Sequence, residues 1–152
     1  MVTHSKSRSR RDLVTGDLVA SDSTRAISDK SSLKQAAEEH FDWGCRQPSC
    51  FLSVFSYEQH ARKWAKQRER TQDPGSIDEV YIHEIDTTRL PADMYVFDAV
   101  SLSAKLDIVH PHSTDELIFL HRILGQSLRR TWSLGEIEEQ GTYGIATENM
   151  TT

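Results

Sequence analysis

Hydrophobic residues recur at helical spacing in two parts of this chain. Over 33–41, apolar side chains fall at i, i+3, i+4 and i+8, which predicts a helix with one apolar stripe. Ser32 and Gln35 have the spacing of a capping box and mark its predicted start. A second capping box precedes a similar pattern that predicts a helix over 57–70.

Short β-prone runs separated by turn residues predict the strands. The run 116–123 is apolar on both faces, which favours a buried strand. The order of elements argues against a repeating βα unit and favours an α+β fold. The predicted strands are 17–20, 51–55, 79–85, 94–99 and 116–123, with a short helix at 101–106.

A length of 152 residues is common for one domain. The sequence predicts a partly ordered N-terminal arm over 1–30, rich in Ser, Arg and Asp, and a domain core over 31–134. A flexible acidic tail is predicted over 135–152.

The net charge of −5, with acidic residues spread along the chain, argues against a nucleic-acid partner. The basic run KSRSRR at 6–11 is interpreted as a solvated arm, with a phosphate-binding or targeting role as the alternative. The first twenty residues lack the apolar segment of a secretory signal, and no apolar run is long enough for a membrane span. Cys45 and Cys50 do not suffice for a disulfide framework and are expected to be reduced. A cytoplasmic protein with no membrane partner is therefore predicted.

Common catalytic and metal-binding signatures are missing from the sequence. The two cysteines have no second CxxC pair or paired histidines at zinc-ligand spacing, so no metal is predicted. No GxSxG elbow and no Gly-rich phosphate loop is present. His60 and His83 are interpreted as ordinary helix-face and strand-edge residues. The remaining polar candidates at element edges are His40, Ser53 and Glu116.

Five segments, spread over residues 2 to about 134, carry a family resemblance. They are HSKSRSRRDLVTGDLVASDS after Val2, EEHFDW, PSCFLSVFSYEQHARKWAKQRE, IHEIDTTRLPADMYVFDA and STDELIFLHRIL. Together they resemble a fungal domain family of unassigned function. That family is itself similar to the heat-labile enterotoxin and pierisin type of mono-ADP-ribosyltransferase.

The resemblance implies two small, mainly antiparallel sheets packed face to face around a cleft, with the two long helices flanking them. It implies NAD as substrate, with transfer of ADP-ribose to a protein or a small molecule. Glu116 takes the place of the catalytic glutamate, which stabilises an oxocarbenium-like cation. Ser53 takes the first Ser of a Ser-Thr-Ser strand and steadies that carboxylate, and His40 takes the place of a helix His that holds the adenosine-side ribose.

The chain also departs from the family pattern. Val54 and Phe55 replace the rest of Ser-Thr-Ser, and Thr114 stands where arginine-directed enzymes have a second Glu. The Arg that would grip the NAD phosphates is expected immediately before Val2, where this chain has Met1, so either the sequence begins a few residues late or that anchor is missing. A catalytically degenerate binding or interaction module is therefore the alternative to an enzyme, and a nucleic-acid binder with a basic arm is a third.

Each candidate residue also has an ordinary structural interpretation. Ser53 is then a small hydroxyl satisfied within the core, and His40 is a core residue or a cap at the helix C-terminus. Glu116 is then an exposed charge at the entrance of its strand. These alternatives stay open at the level of sequence.

Overall fold

The chain forms short strands interspersed with three longer helices in the residues that the structure, a computed structural model, describes: 2–3, 9–42, 44–70, 80–109 and 114–139. The helices are α1 (Lys30–Phe41), α2 (Glu58–Arg70) and α3 (Ala99–Leu106), and residues 134–139 are also helical. The strands are β1 (Val2–Thr3), β2 (Ser9–Arg11), β3 (Leu18–Ala20), β4 (Phe51–Phe55), β5 (Tyr81–Ile85), β6 (Val96–Asp98), β7 (Glu116–Leu120), β8 (Arg122–Ile123) and β9 (Leu128–Ser133). The predicted α+β class is confirmed.

The described strands make three antiparallel sheets of three strands each, in the orders β1-β5-β9, β2-β3-β8 and β4-β7-β6. The antiparallel arrangement agrees with the expectation, whereas the number of sheets in this part of the chain differs from the expected two. Among the predicted boundaries, that of the strand 51–55 is confirmed without change.

His121 explains why the predicted strand 116–123 is divided. Its backbone has a positive φ of 66°, which a non-glycine residue rarely adopts. The turn ends β7 beside β4 and directs β8 toward β3 in another sheet. Two hydrogen bonds hold it: the His121 amide donates to the carbonyl of Cys50 at 2.7 Å, and Nε2 donates to the carbonyl of Arg25 at 2.7 Å.

The start of α1 also differs from the prediction. The helix begins at Lys30, and the N-cap is Asp29, whose carboxylate accepts from the Ser32 amide at 2.7 Å. The Ser32 hydroxyl in turn accepts from the Asp29 amide at 3.1 Å. Ser32 is therefore the third helical residue of a capping box and not its N-cap, because the Asp29 side chain one turn earlier caps the Ser32 amide. The start of α2 lies one residue from its predicted position.

Buried apolar side chains form three clusters that surround the β4–β7 strand pair and the sheet of β5. The first cluster joins α1 and α3 to one face of β4–β7 through Ala36, Ala37, Phe41, Cys50, Phe51, Ala99, Leu102, Leu106 and Ile118. The second lies on the opposite face and contains Leu18, Ala20, Leu52, Val54, Phe119 and Ile123. The third joins α2 to β5 through Ala61, Ala65, Val80, Ile82, Leu134 and Ile137.

Three cluster members come from segments assigned by sequence to the arm and the tail: Leu18, Ala20 and Ile137. Leu18 lies in the second cluster, so the arm contributes to the core. Ile137 lies in the third cluster, so packing continues past residue 134. The rest of the predicted tail, 140–152, and residues 4–8 of the arm lie outside the described residues.

Candidate active site

Ser53 and Glu116 lie together on one face of the β4–β7 pair. The register places Phe55 opposite Glu116 and Ser53 opposite Ile118, so Ser53 and Glu116 are diagonal neighbours on the same face. The Ser53 hydroxyl donates to Glu116 Oε1 at 2.8 Å. The predicted approach of these two side chains is thus confirmed, although their roles stay predictions. Glu116 is buried rather than exposed at the strand entrance.

His40 reaches the same serine from the last turn of α1. The helix packs on this face of the sheet through the first cluster, which fixes the position of its C-terminal end. The ring then makes edge contacts with Phe41 and Phe51, at centroid distances of 5.6 Å and 5.7 Å. His40 Nε2 lies 2.8 Å from the Ser53 hydroxyl oxygen. The structure therefore brings all three sequence-predicted site residues into one hydrogen-bonded chain.

Ser49 extends this chain on the other side of the imidazole and was not predicted. Its hydroxyl oxygen lies 2.7 Å from His40 Nδ1 and accepts from the amide of Phe51 at 3.0 Å. Its own amide donates to the hydroxyl of Ser21 at 3.0 Å. Ser49 follows Pro48 in an irregular segment, where no periodic pattern relates a residue to the helix before it. The sequence relates Ser49 to the site only through its position four residues before Ser53.

The chemistry of these side chains determines which group donates and which accepts in each hydrogen bond from Ser49 to Glu116. An ionised carboxylate only accepts, so the Ser53 proton lies in the bond to Glu116 and Ser53 accepts from His40 Nε2–H. His40 Nδ1 then accepts the proton of the Ser49 hydroxyl. In this assignment a neutral imidazole satisfies both serines, and every donor points toward the Glu116 carboxylate.

A second histidine, His60, pairs with the carboxylate of Asp115 next to these hydrogen-bonded residues. Its Nδ1 lies 2.9 Å and 3.0 Å from the two carboxylate oxygens of Asp115, the residue immediately before Glu116. The Asp115 side chain is 6% exposed and that of His60 is 31% exposed. The ring of His60 lies over Phe55 with a centroid distance of 4.1 Å. Sequence reasoning treated His60 as an ordinary helix residue because its partner is 55 positions away.

His83 lies elsewhere and is not at a strand edge as predicted. It is buried on β5, the middle strand of its sheet, and its Nδ1 is 2.9 Å from the hydroxyl of Thr131. Burial lowers the pKa of His83 to about 4, and the positive charge of Arg11 contributes in the same direction. This histidine is therefore neutral near pH 7 and belongs to the core.

The structure also locates the departures from the family pattern. Val54 points away from the site into the second cluster, because side chains alternate along β4. Phe55 stays on the Ser53 face, where it contacts His60 and lies 6.3 Å from Trp64 between ring centroids. Thr114 precedes the His60 partner Asp115 in a turn. Met1, at the position where the phosphate-binding Arg is expected, lies outside the described residues.

Among the described residues, no group of three or more His, Cys, Asp or Glu side chains is placed to hold a metal ion. The helices in this part of the chain are all too short or too polar to cross a membrane.

No curated protein and no solved structure matches the sequence. A family model does match, and it covers most of the chain, including all of the site residues named above. The chain therefore belongs to the family described as Domain of unknown function (DUF7587), which spans residues 2–137.

Proposed function

We propose that this chain is a mono-ADP-ribosyltransferase that uses NAD as substrate and Glu116 as its catalytic carboxylate. The observation that carries the proposal is the 2.8 Å hydrogen bond from Ser53 to Glu116, with His40 bonded to the same serine. The resemblance assigns these three residues to one site, and they are far apart in sequence. Their meeting in one hydrogen-bonded chain supports a shared role.

The chemistry of NAD cleavage explains what these three hydrogen-bonded side chains can do. When the bond between nicotinamide and ribose breaks, positive charge develops on the ribose C1′ and its ring oxygen. A buried carboxylate held in one orientation stabilises this charge without having to reorganise. The Ser53 hydrogen bond supplies that orientation for Glu116, and the buried backbone of β7 supplies its position.

His40 contributes in this proposal by positioning Ser53. Its Nε2–H donates to the Ser53 hydroxyl oxygen, so the hydroxyl proton of Ser53 stays directed at Glu116. Direct binding of the adenosine-side ribose by His40 requires the Ser49 hydroxyl to turn away from Nδ1. The arrangement in which Ser49 is bonded to His40 is therefore that of the site before substrate enters.

A catalytically degenerate binding module is the second candidate, and Phe55 favours it. Its ring replaces the last hydroxyl of Ser-Thr-Ser and occupies the sheet face directly opposite Glu116 in the strand register. An apolar ring at this position leaves one hydroxyl fewer for a ribose. Thr114, at a further position of the pattern that the resemblance implies, points the same way. In that case the chain binds NAD or a protein partner without turnover.

Nicotinamide release from NAD by the purified chain tests the proposal. The parent is compared with Glu116→Gln, which keeps the shape of the side chain and removes its charge. Glu38→Gln on the surface of α1 is the matched control, since it makes the same chemical change at an exposed site. Calorimetric titration with NAD measures binding separately. Release by the parent and the control but not by Glu116→Gln supports the enzyme.

Two other outcomes decide against it. Equal release by the parent and Glu116→Gln rejects Glu116 as the catalytic group. Binding of NAD without release by the parent favours the degenerate module, and absence of both binding and release rejects an NAD site in this chain.

A further inference from the structure

The pair of His60 and Asp115 has the geometry of an oriented base. Both carboxylate oxygens of Asp115 lie within 3.0 Å of Nδ1, so that nitrogen carries the proton and the ring is held in one orientation. The ring of Phe55, tilted by 32° and 4.1 Å away between centroids, restrains it further. In the described part of the chain, no residue hydrogen-bonds the other nitrogen, Nε2, and the side chain is about one-third exposed. The lone pair of Nε2 is therefore available to a proton on a bound molecule.

This pair is also next to the proposed catalytic carboxylate. Asp115 is the residue before Glu116, and the Phe55 ring under His60 belongs to the cross-strand partner of Glu116. Phe55, Ser53 and Glu116 share one face of the sheet, so His60 lies on the face that carries the Ser53–Glu116 bond. The amide of Ser56 donates to the Asp115 carbonyl at 3.0 Å and ties the start of α2 to the start of β7.

We propose that His60 is the general base that takes the proton from the acceptor, and that the acceptor is a hydroxyl group or water. This inference rests on the proposed ADP-ribosyl transfer. The bond between C1′ and nicotinamide breaks, and its electron pair leaves with neutral nicotinamide. An oxygen lone pair of the acceptor forms the new bond to C1′, and the acceptor proton moves to His60 Nε2.

The two carboxylates then have different tasks. Glu116 faces the cation that forms on the ribose, while Asp115 stabilises the imidazolium that forms on His60. A hydroxyl is a weak nucleophile until it loses its proton, so an oxygen acceptor gains most from a neighbouring base. Protonated His60 returns its proton to solvent, for which its partial exposure suffices.

Chemical rescue distinguishes a base from a structural ion pair. His60→Ala removes the imidazole beside Phe55, and free imidazole in the buffer can take its place. We expect nicotinamide release by His60→Ala to fall by about 10² or more, as for loss of a general base, and to recover at least about tenfold with imidazole. NAD affinity should match that of the parent. Gln59→Ala, the exposed neighbour on α2, is the control and should have parental rates with and without imidazole.

A second variant, His60→Gln, tests the role of His60 if His60→Ala does not fold correctly. Its amide keeps a hydrogen bond to Asp115 but cannot accept the proton, so its rate should also fall while its melting temperature stays near that of the parent. Parental release in both variants overturns the role of His60, as does a loss in His60→Ala that imidazole does not restore. Absence of release by the parent itself overturns the proposed function, and this inference with it, before any variant is compared.

Discussion

The two faces of the β4–β7 strand pair differ in what they contact. One face carries Ser53 and Glu116 and receives His40 from α1. The opposite face carries Leu52, Val54 and Phe119, which pack in the second cluster with β3. One side of the pair thus carries two polar members of the hydrogen-bonded chain among apolar residues of the first cluster, whereas the other side is an apolar contact surface.

This difference shows how the apolar face determines the geometry of the polar one. In a strand, a shift of register by one residue exchanges the two faces. Such a shift would bury Ser53 in the second cluster and move Val54 toward His40. Close packing around Phe119 opposes this shift, so residues that never touch the site fix the 2.8 Å contact between Ser53 and Glu116.

The largest expected effect is on the apolar face, for Phe119→Ala. The side chain is 1% exposed, and its removal leaves a cavity, so we expect the free energy of unfolding to fall by about 3 to 5 kcal/mol. Chemical denaturation monitored by circular dichroism measures this loss. Val109→Ala, at a fully exposed apolar side chain, should change it by less than about 0.5 kcal/mol. A loss below about 1 kcal/mol for Phe119→Ala would contradict the assigned packing.

On the polar face, Glu116→Gln should affect turnover much more than folding. The amide oxygen can still accept from Ser53, so we expect a stability change below about 1 kcal/mol. The rate of nicotinamide release should fall by about 10² to 10³, as for loss of one preorganised electrostatic group. Melting curves recorded with the rate measurements separate the two effects. A large loss of stability at parental rate would assign Glu116 to the core instead.

His83 extends the comparison to a buried polar side chain outside the candidate site, where its ring lies next to the Thr131 hydroxyl. Its folded-state pKa of about 4 lies below the unfolded value of about 6.5, so the unfolded chain binds more protons between these two values. The contribution of neutral His83 to stability is fully present above pH 6.5 and is lost as the pH falls toward 4. Between pH 7.5 and 5 we expect a loss of about 2 kcal/mol from this residue.

Denaturation of the parent and of His83→Gln at several pH values isolates this contribution. The variant keeps a polar side chain but does not titrate, so its stability should depend less on pH over this interval. Because all other titrating groups are common to both proteins, they cancel in the difference. Parallel curves for parent and variant would show that His83 titrates alike in the folded and unfolded chains.

Periodicity and turn residues sufficed to predict several elements but not the local events that connect them. The strand 51–55 and the two long helices follow from patterns of apolar residues, which local spacing determines. The break at His121 was missed because bonds to the distant Cys50 and Arg25 hold its positive φ. Tertiary contacts of this kind leave no mark in the local pattern.

The candidate site divides in the same way. Ser53 and Glu116 could be paired in advance because the resemblance implies that Ser53 steadies the Glu116 carboxylate. Ser49 and the pair of His60 with Asp115 were missed, since each connects elements whose distance in space depends on helix docking. Individual polar residues therefore became candidates from sequence, whereas their hydrogen-bond partners required the fold.

The smallest expected effect comes from Val54→Thr, which introduces on the apolar face the second residue of the Ser-Thr-Ser pattern that the resemblance implies. Val54 is buried in the second cluster and points away from Glu116, so the new hydroxyl cannot reach the site. We expect a stability loss of about 1 to 2 kcal/mol, because a hydroxyl placed among apolar side chains loses its hydrogen bonds to water. Nicotinamide release should stay within about twofold of the parent, since a residue on the opposite face changes no group around Ser53. Denaturation curves and release assays on the same preparations measure both quantities. A rate increase without loss of stability would place residue 54 at the site and reverse the assignment of the two faces.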